Sequence, residues 1–133
     1  MPDAPQYDVA VVGASLAGCT AARLFAQQGP SVALVDQHAA IDWHKRLCTY
    51  YIQACAVLTI ERLGLAPLIE LAGAVRSRLE TWTRWGWIKH IRSAASDNYG
   101  YSVRRQTLDP IVRRLAADTP ARVVWNKLRP ASV

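Results

Sequence analysis

Four residues near the N-terminus have the types and spacing to hold a nucleotide. They are Gly13, Ser15, Gly18 and Asp36, in VAVVGASLAGCTAARLFAQQGPSVALVD over residues 9–36. A pyrophosphate sits well on a helix N-terminus, where free backbone N–H groups and the helix dipole both favour an anion. The chain must first turn tightly out of a strand, then let the phosphates approach, then pack the helix against the sheet. Gly13 serves the turn. Ser15, in place of a middle glycine, is small enough for close approach, and its hydroxyl can donate to a phosphate. Gly18 allows close packing, helped by Ala14, Ala17 and Ala21. The amides of Ser15, Leu16 and Ala17 open the helix. Asp36 lies 23 residues after Gly13, where a carboxylate accepts hydrogen bonds from ribose hydroxyls and repels a 2′-phosphate. The set predicts a dinucleotide site for FAD or NAD rather than NADP. An ordinary tight strand–helix turn with a chance acid is the plain alternative.

Such a site needs a strand–helix–strand unit to position it. Residues 7–12 (YDVAVV) are apolar after Asp8 and predict a strand buried on both faces. A helix follows over Leu16–Gln28, with Leu16, Thr20, Leu24 and Gln28 on one stripe, Ala17, Ala21 and Phe25 beside it, and Cys19 packing in its first turn. Gly29 and Pro30 stop it. Residues 31–36 (SVALVD) make the next strand, parallel to the first through a right-handed crossover. The polar stretch 37–50 reads as irregular, and His38, His44 and His90 read as solvated. A helix from about Ile52 to Leu63 ends at Gly64, and Pro67 opens a short one ending near Gly73. Residues 75–92, with Trp82, Trp85 and Trp87 around Gly86, predict one or two strands. Those tryptophans either line an aromatic substrate site or pack a small sheet. A polar loop follows at 93–100, and residues 101–105 are extended. A helix opens at Thr107 or at the Asp109–Pro110 pair and ends near Asp118. A last strand spans 122–126.

Composition narrows the class. The chain has 133 residues, 51% hydrophobic and 20% charged, which suits one globular domain and argues against disorder. No apolar run approaches a membrane span, and MPDAPQYD does not read as a signal peptide. The default is a cytoplasmic protein. Cys19, Cys48 and Cys55 form no metal pattern and read as reduced thiols; no metal site is expected. Sixteen basic against ten acidic residues leave a net charge of +6. With five tryptophans this raises the question of nucleic-acid binding. The arginines are spread from Arg23 to Arg129 without a cluster, so no nucleic-acid partner is expected.

The segment YDVAVVGASLAGCTAARLFAQQGPSVALVDQH resembles the FAD-binding start of flavin-dependent monooxygenases and related oxidoreductases of the p-hydroxybenzoate hydroxylase and geranylgeranyl-reductase type. That family commonly carries a G-A-S-x-A-G form of the turn, which accounts for Ser15. His44–Thr49 (HKRLCT) is similar to the family's basic-x-Cys-Gly segment near the flavin; Arg46 and Cys48 match and Thr49 departs. Arg104–Val112 (RRQTLDPIV) resembles its R-x-x-L-D-x-x-L element through Arg105, Leu108 and Asp109. The resemblance implies an α/β, Rossmann-like fold, incomplete relative to the family, with residues 75–103 beginning the substrate-side strands. It implies FAD as cofactor, with Arg46 and Arg105 on the cofactor side, NAD(P)H as reductant and a small organic substrate. No catalytic residue can be named. The family's later Gly-Asp element has no counterpart, since no Gly-Asp dipeptide occurs. The chain therefore reads as an N-terminal fragment with weak FAD affinity, because fewer contacts must offset the same association cost. The alternative is a small NAD-binding Rossmann module without its own catalysis.

Overall fold

A computed structural model describes residues 5–38, 40–88 and 99–119 and the backbone of 123–127. In chain order the elements are β1 (Val9–Val12), α1 (Leu16–Gln27), β2 (Val32–Asp36), β3 (Tyr51–Ile52), a 3-10 turn (Ala54–Ala56), α2 (Val57–Arg62), α3 (Ala66–Leu71), β4 (Val75–Ser77), β5 (Thr81–Thr83), β6 (Gly86–Ile88), β7 (Gly100–Ser102), α4 (Arg105–Ala117) and β8 (Val123–Lys127). They divide into two compact units. One combines Met1–Arg46 with Arg105–Val133, and the other is Leu47–Arg104. Among the described residues no helix is long and apolar enough to cross a membrane.

The first unit has the α/β order expected of a nucleotide-binding fold. Its sheet runs β1-β2-β8, all parallel, with Val9 opposite Val32 and Val32 opposite Val123. Central β2 buries Val32, Leu34 and Asp36 on one face. The expected burial of the first strand on both faces is not met. β1 pairs only with β2 among the described residues, and it alternates between half-buried and exposed residues, Val12 being exposed. The stripe of Leu16, Thr20 and Leu24 is not the buried face of α1. The buried residues are Cys19, Ala22 and Ala26, whereas Phe25 is exposed. These small side chains let α1 pack on α4, which contributes Leu108, Val112 and Ala116 to the same core. Leu16, Thr20 and Leu24 are only half-buried. Close backbone approach has outweighed side-chain size in deciding which face turns inward.

The second unit is a small antiparallel sheet with two short helices. β7 lies between β3 and β4, pairing Tyr101 with both Ile52 and Arg76. Tyr101 joins Ile60, Leu63, Leu65 and Ile69 in its core. The expected helix over 52–63 is shorter: Ile52 is in β3 and the α-helical part is Val57–Arg62. The tryptophan segment forms a β5–β6 hairpin with Trp82 opposite Trp87. The two rings meet edge to face at 5.4 Å, and all three tryptophans are more than half exposed. The expectations for His90, for the ends of the 75–92 and 122–126 strands, for most of the 93–100 loop and for the C-terminal residues fall outside the described residues.

The helix placed at Thr107 or Asp109 starts earlier. Arg105 opens α4, and Pro110 lies inside it. Arg105 is therefore helical rather than extended, and Asp109 does not open the helix.

Candidate cofactor site

Gly13 leaves β1 with φ +98°, a left-handed conformation that L side chains rarely adopt. Its amide still donates to the Val35 carbonyl at 2.7 Å, so the turn begins while the chain is tied to β2. A Cβ added at Gly18 would collide with the Gly13 carbonyl oxygen. The first turn of α1 therefore lies directly over the glycine turn, an approach only a residue without a side chain allows. Ser15 is the N-cap residue, but its side chain makes no capping hydrogen bond. Its Oγ instead accepts from Arg105 Nη2 at 2.9 Å. That bond uses an oxygen lone pair and leaves the hydroxyl hydrogen to be donated elsewhere. The first amides of a helix have no intrahelical acceptors. At Leu16 and Ala17 they open a helix whose first turn carries no acidic side chain. The cradle fits a diphosphate.

Asp36 stands at the end of β2 and is 7% exposed. Its Oδ2 accepts from the Ala14 amide and its Oδ1 from the His38 amide, both at 2.6 Å. The carboxylate thus ties the glycine turn to the loop after β2. Each oxygen keeps a second lone pair for a ribose hydroxyl.

The third side of the site is one face of α4. Arg105, Asp109 and Arg113 are spaced four residues apart, so they stack along the helix. Arg105 Nε meets Asp109 Oδ1 at 2.6 Å in a buried ion pair. Asp109 Oδ2 accepts from the Lys45 amide at 2.9 Å. Arg113 donates to the Ala14 carbonyl at 2.9 Å and to the His38 carbonyl at 2.6 Å, and it lies 4.0 Å from Asp36 Oδ1. Its guanidinium is 5.6 Å from the Trp43 ring, on which His38 stacks at 4.1 Å. His38 is therefore half-buried against Trp43 rather than solvated, and His44 is half-buried as well. Cys19 lies nearby, and burial pushes its thiol up to about 12.

The structure gathers Gly13, Ser15, Leu16, Ala17, Gly18, Asp36 and Arg105 within the first unit. Arg46 is exposed, one residue beyond the Lys45 amide that Asp109 holds. Cys48 and Thr49 fall in the second unit. Sequence reasoning missed Arg113, and it read Asp109 as a helix opener. A charged residue at every fourth position from 105 to 113 was the available signal. Starting the helix at 107 or 109 left Arg105 outside it and hid the period.

The family model described as an FAD binding domain matches residues 6–128. No curated protein is matched by the sequence. Among solved structures, the chain is similar to PqsL, a probable FAD-dependent monooxygenase from Pseudomonas aeruginosa, with 18% identity and a TM-score of 0.69 over 91% of this chain and 32% of that one. It is also similar to the myxobacterial chondrochloren halogenase CndH, with 24% identity and a TM-score of 0.72 over 91% of this chain and 29% of that one. A flavoprotein/dehydrogenase from Cytophaga hutchinsonii gives 18% and 0.64 over 89% and 30%. At these identities the likeness is one of fold, and the chain spans about a third of the length of each protein. With its glycine-built turn, parallel strands and a family match over nearly all its length, this chain belongs to the FAD binding domain family.

Proposed function

We propose that the chain is the FAD-binding part of a cytoplasmic flavin-dependent oxidoreductase of the monooxygenase type, using NAD(P)H and acting on a small organic substrate. The observation that carries the reading is the α1 N-terminus. It is pressed onto the Gly13 turn at Gly18, bears no capping side chain, and is met at Ser15 by Arg105. The amides of Ser15, Leu16 and Ala17 bind the diphosphate, and the Ser15 hydroxyl donates to it. Gly13 and Gly18 permit the approach. Asp36 accepts from the adenosine ribose through its remaining lone pairs. Arg105 adds positive charge beside the diphosphate, and Arg46 extends that charge toward the flavin. When bound, FAD would supply the redox chemistry, with NAD(P)H as the reductant and dioxygen or the substrate as the acceptor. Residues 75–103 begin the substrate-side strands. The kinship in fold with a monooxygenase and a halogenase supports this class.

Titrating the chain with FAD, followed by quenching of flavin fluorescence, tests the reading. Saturable, weak binding is expected, with NAD a poorer competitor than ADP. Asp36→Ala removes a charged acceptor and weakens FAD binding roughly tenfold or more. Absence of FAD binding, or an unchanged affinity in the variant, would remove the assignment. Saturable binding of NAD alone would favour a small nicotinamide-binding module instead.

A further inference from the structure

Arg113 is the largest fully buried side chain among the described residues, at 1% exposure. An arginine removed from water is costly unless its donors and charge are answered. The nearby Asp36 carboxylate stands 4.0 Å away, beyond hydrogen-bonding reach. Closer acceptors are two backbone carbonyls, those of Ala14 and His38. The amides of these same two residues are the ones that Asp36 accepts. Each residue is thus held from both sides, N–H by Asp36 and C=O by Arg113. One belongs to the glycine turn and the other to the loop after β2.

This clamp fixes a direction. In a planar trans peptide the C=O of one residue and the N–H of the next point opposite ways. With the Ala14 carbonyl turned onto Arg113, the Ser15 N–H points away from it. That amide is the first of those opening α1. We propose that Arg113 is a positioning residue: it locks the Ala14–Ser15 peptide plane, and so aims the Ser15 amide at the diphosphate. It works from α4, 99 positions along the chain from Ala14, and does not itself touch the ligand. The inference rests on the diphosphate reading above.

Arg113→Met keeps an unbranched apolar stem and removes every donor. Arg113→Lys keeps the charge and returns one donor group. Affinities of the full chain for FAD, ADP and adenosine are compared, together with amide hydrogen exchange at Ala14 and His38, the two amides that Asp36 accepts. Arg113→Met is expected to weaken FAD and ADP about tenfold or more, leave adenosine within about twofold, and speed exchange at those two amides. Arg113→Lys is expected to fall between wild type and Arg113→Met. A side chain that merely supports the fold would weaken adenosine as much as ADP. Parallel losses, or unchanged ADP binding with unchanged exchange in either variant, would overturn the proposal. If wild-type chain binds neither FAD nor ADP, the cofactor reading fails on its own; unchanged exchange in the variants then overturns the clamp and faster exchange upholds it.

Discussion

Each compact unit contains an arginine–carboxylate pair. In the first, Arg105 and Asp109 meet at 2.6 Å with side chains 9% and 2% exposed. In the second, Arg76 and Glu70 meet at 2.8 Å with side chains 58% and 35% exposed. The contact distances are nearly the same, and the surroundings are not. The buried pair has given up hydration and depends on its partners, so each group is indispensable to the other. The exposed pair keeps water as a substitute partner and is worth little by itself. Each pair also takes a bond from a neighbour. Asp109 receives the Lys45 amide, and Glu70 receives the hydroxyl of buried Tyr101 at 2.7 Å. The first unit thereby uses its pair to orient backbone at the candidate cofactor site. The second uses its pair to tie α3 to a small sheet. Burial, rather than proximity, separates a pair that shapes a site from one that decorates a surface.

Breaking the buried pair should have the largest effect. Asp109→Ala leaves the Arg105 charge without this carboxylate and the Lys45 amide without its acceptor. A loss of about 3–5 kcal/mol is expected in urea unfolding of the first unit. A loss as small as that of an exposed pair would end the contrast.

Thiol chemistry extends it to a neutral group. Cys19 is buried on the face of α1 that packs on α4. Desolvation raises its pKa to about 12, with the opposing charge of Arg113 too weak to reverse the effect. Near pH 8 the thiolate is scarce and shielded, so Cys19 should resist alkylation until the unit unfolds, while exposed Cys55 reacts readily. Mass spectrometry of timed iodoacetamide labelling reads this directly. A raised thiol pKa also means that its stabilising contribution is intact below the usual 9.0 and is lost as pH climbs from there toward 12.

The smallest effect belongs to Glu70. Its carboxyl is held below the usual 4.5, first by the Tyr101 hydroxyl and then by Arg76. A lowered carboxyl pKa stabilises the fold above 4.5 and stops doing so as pH falls below it. Glu70→Gln should leave stability nearly unchanged at neutral pH and flatten the decline on acidification. A large neutral-pH loss would show that this exposed network matters as much as the buried one.

The strand–helix–strand frame was legible because its signals are local. Alternation of apolar runs, Gly13 at the turn and Gly29–Pro30 at the stop all act within a few residues of where they stand. The same locality misled for α4. Asp109–Pro110 carries the signature of a helix start. Yet Arg105, Gln106 and Thr107 are already wound ahead of Leu108, and Arg105 is held there by Ser15 and Asp109. The two-faced burial expected for β1 assumed neighbours that a pattern of apolar residues cannot count. The choice of Cys19, Ala22 and Ala26 as the inward face of α1 depended on how closely α4 could approach.

From its order of residues alone, this protein determined a turn that suits a diphosphate, the helix that opens from it, and an acid at the end of the following strand. Those features need only backbone sterics and short-range periodicity. The tertiary structure decided that Asp36 and Arg113 hold the same two residues from opposite sides, and that an ion pair on a distant helix braces the turn. Such bonds join residues up to 99 positions apart, and their strength comes from the exclusion of water, which exists only once the chain has folded around them.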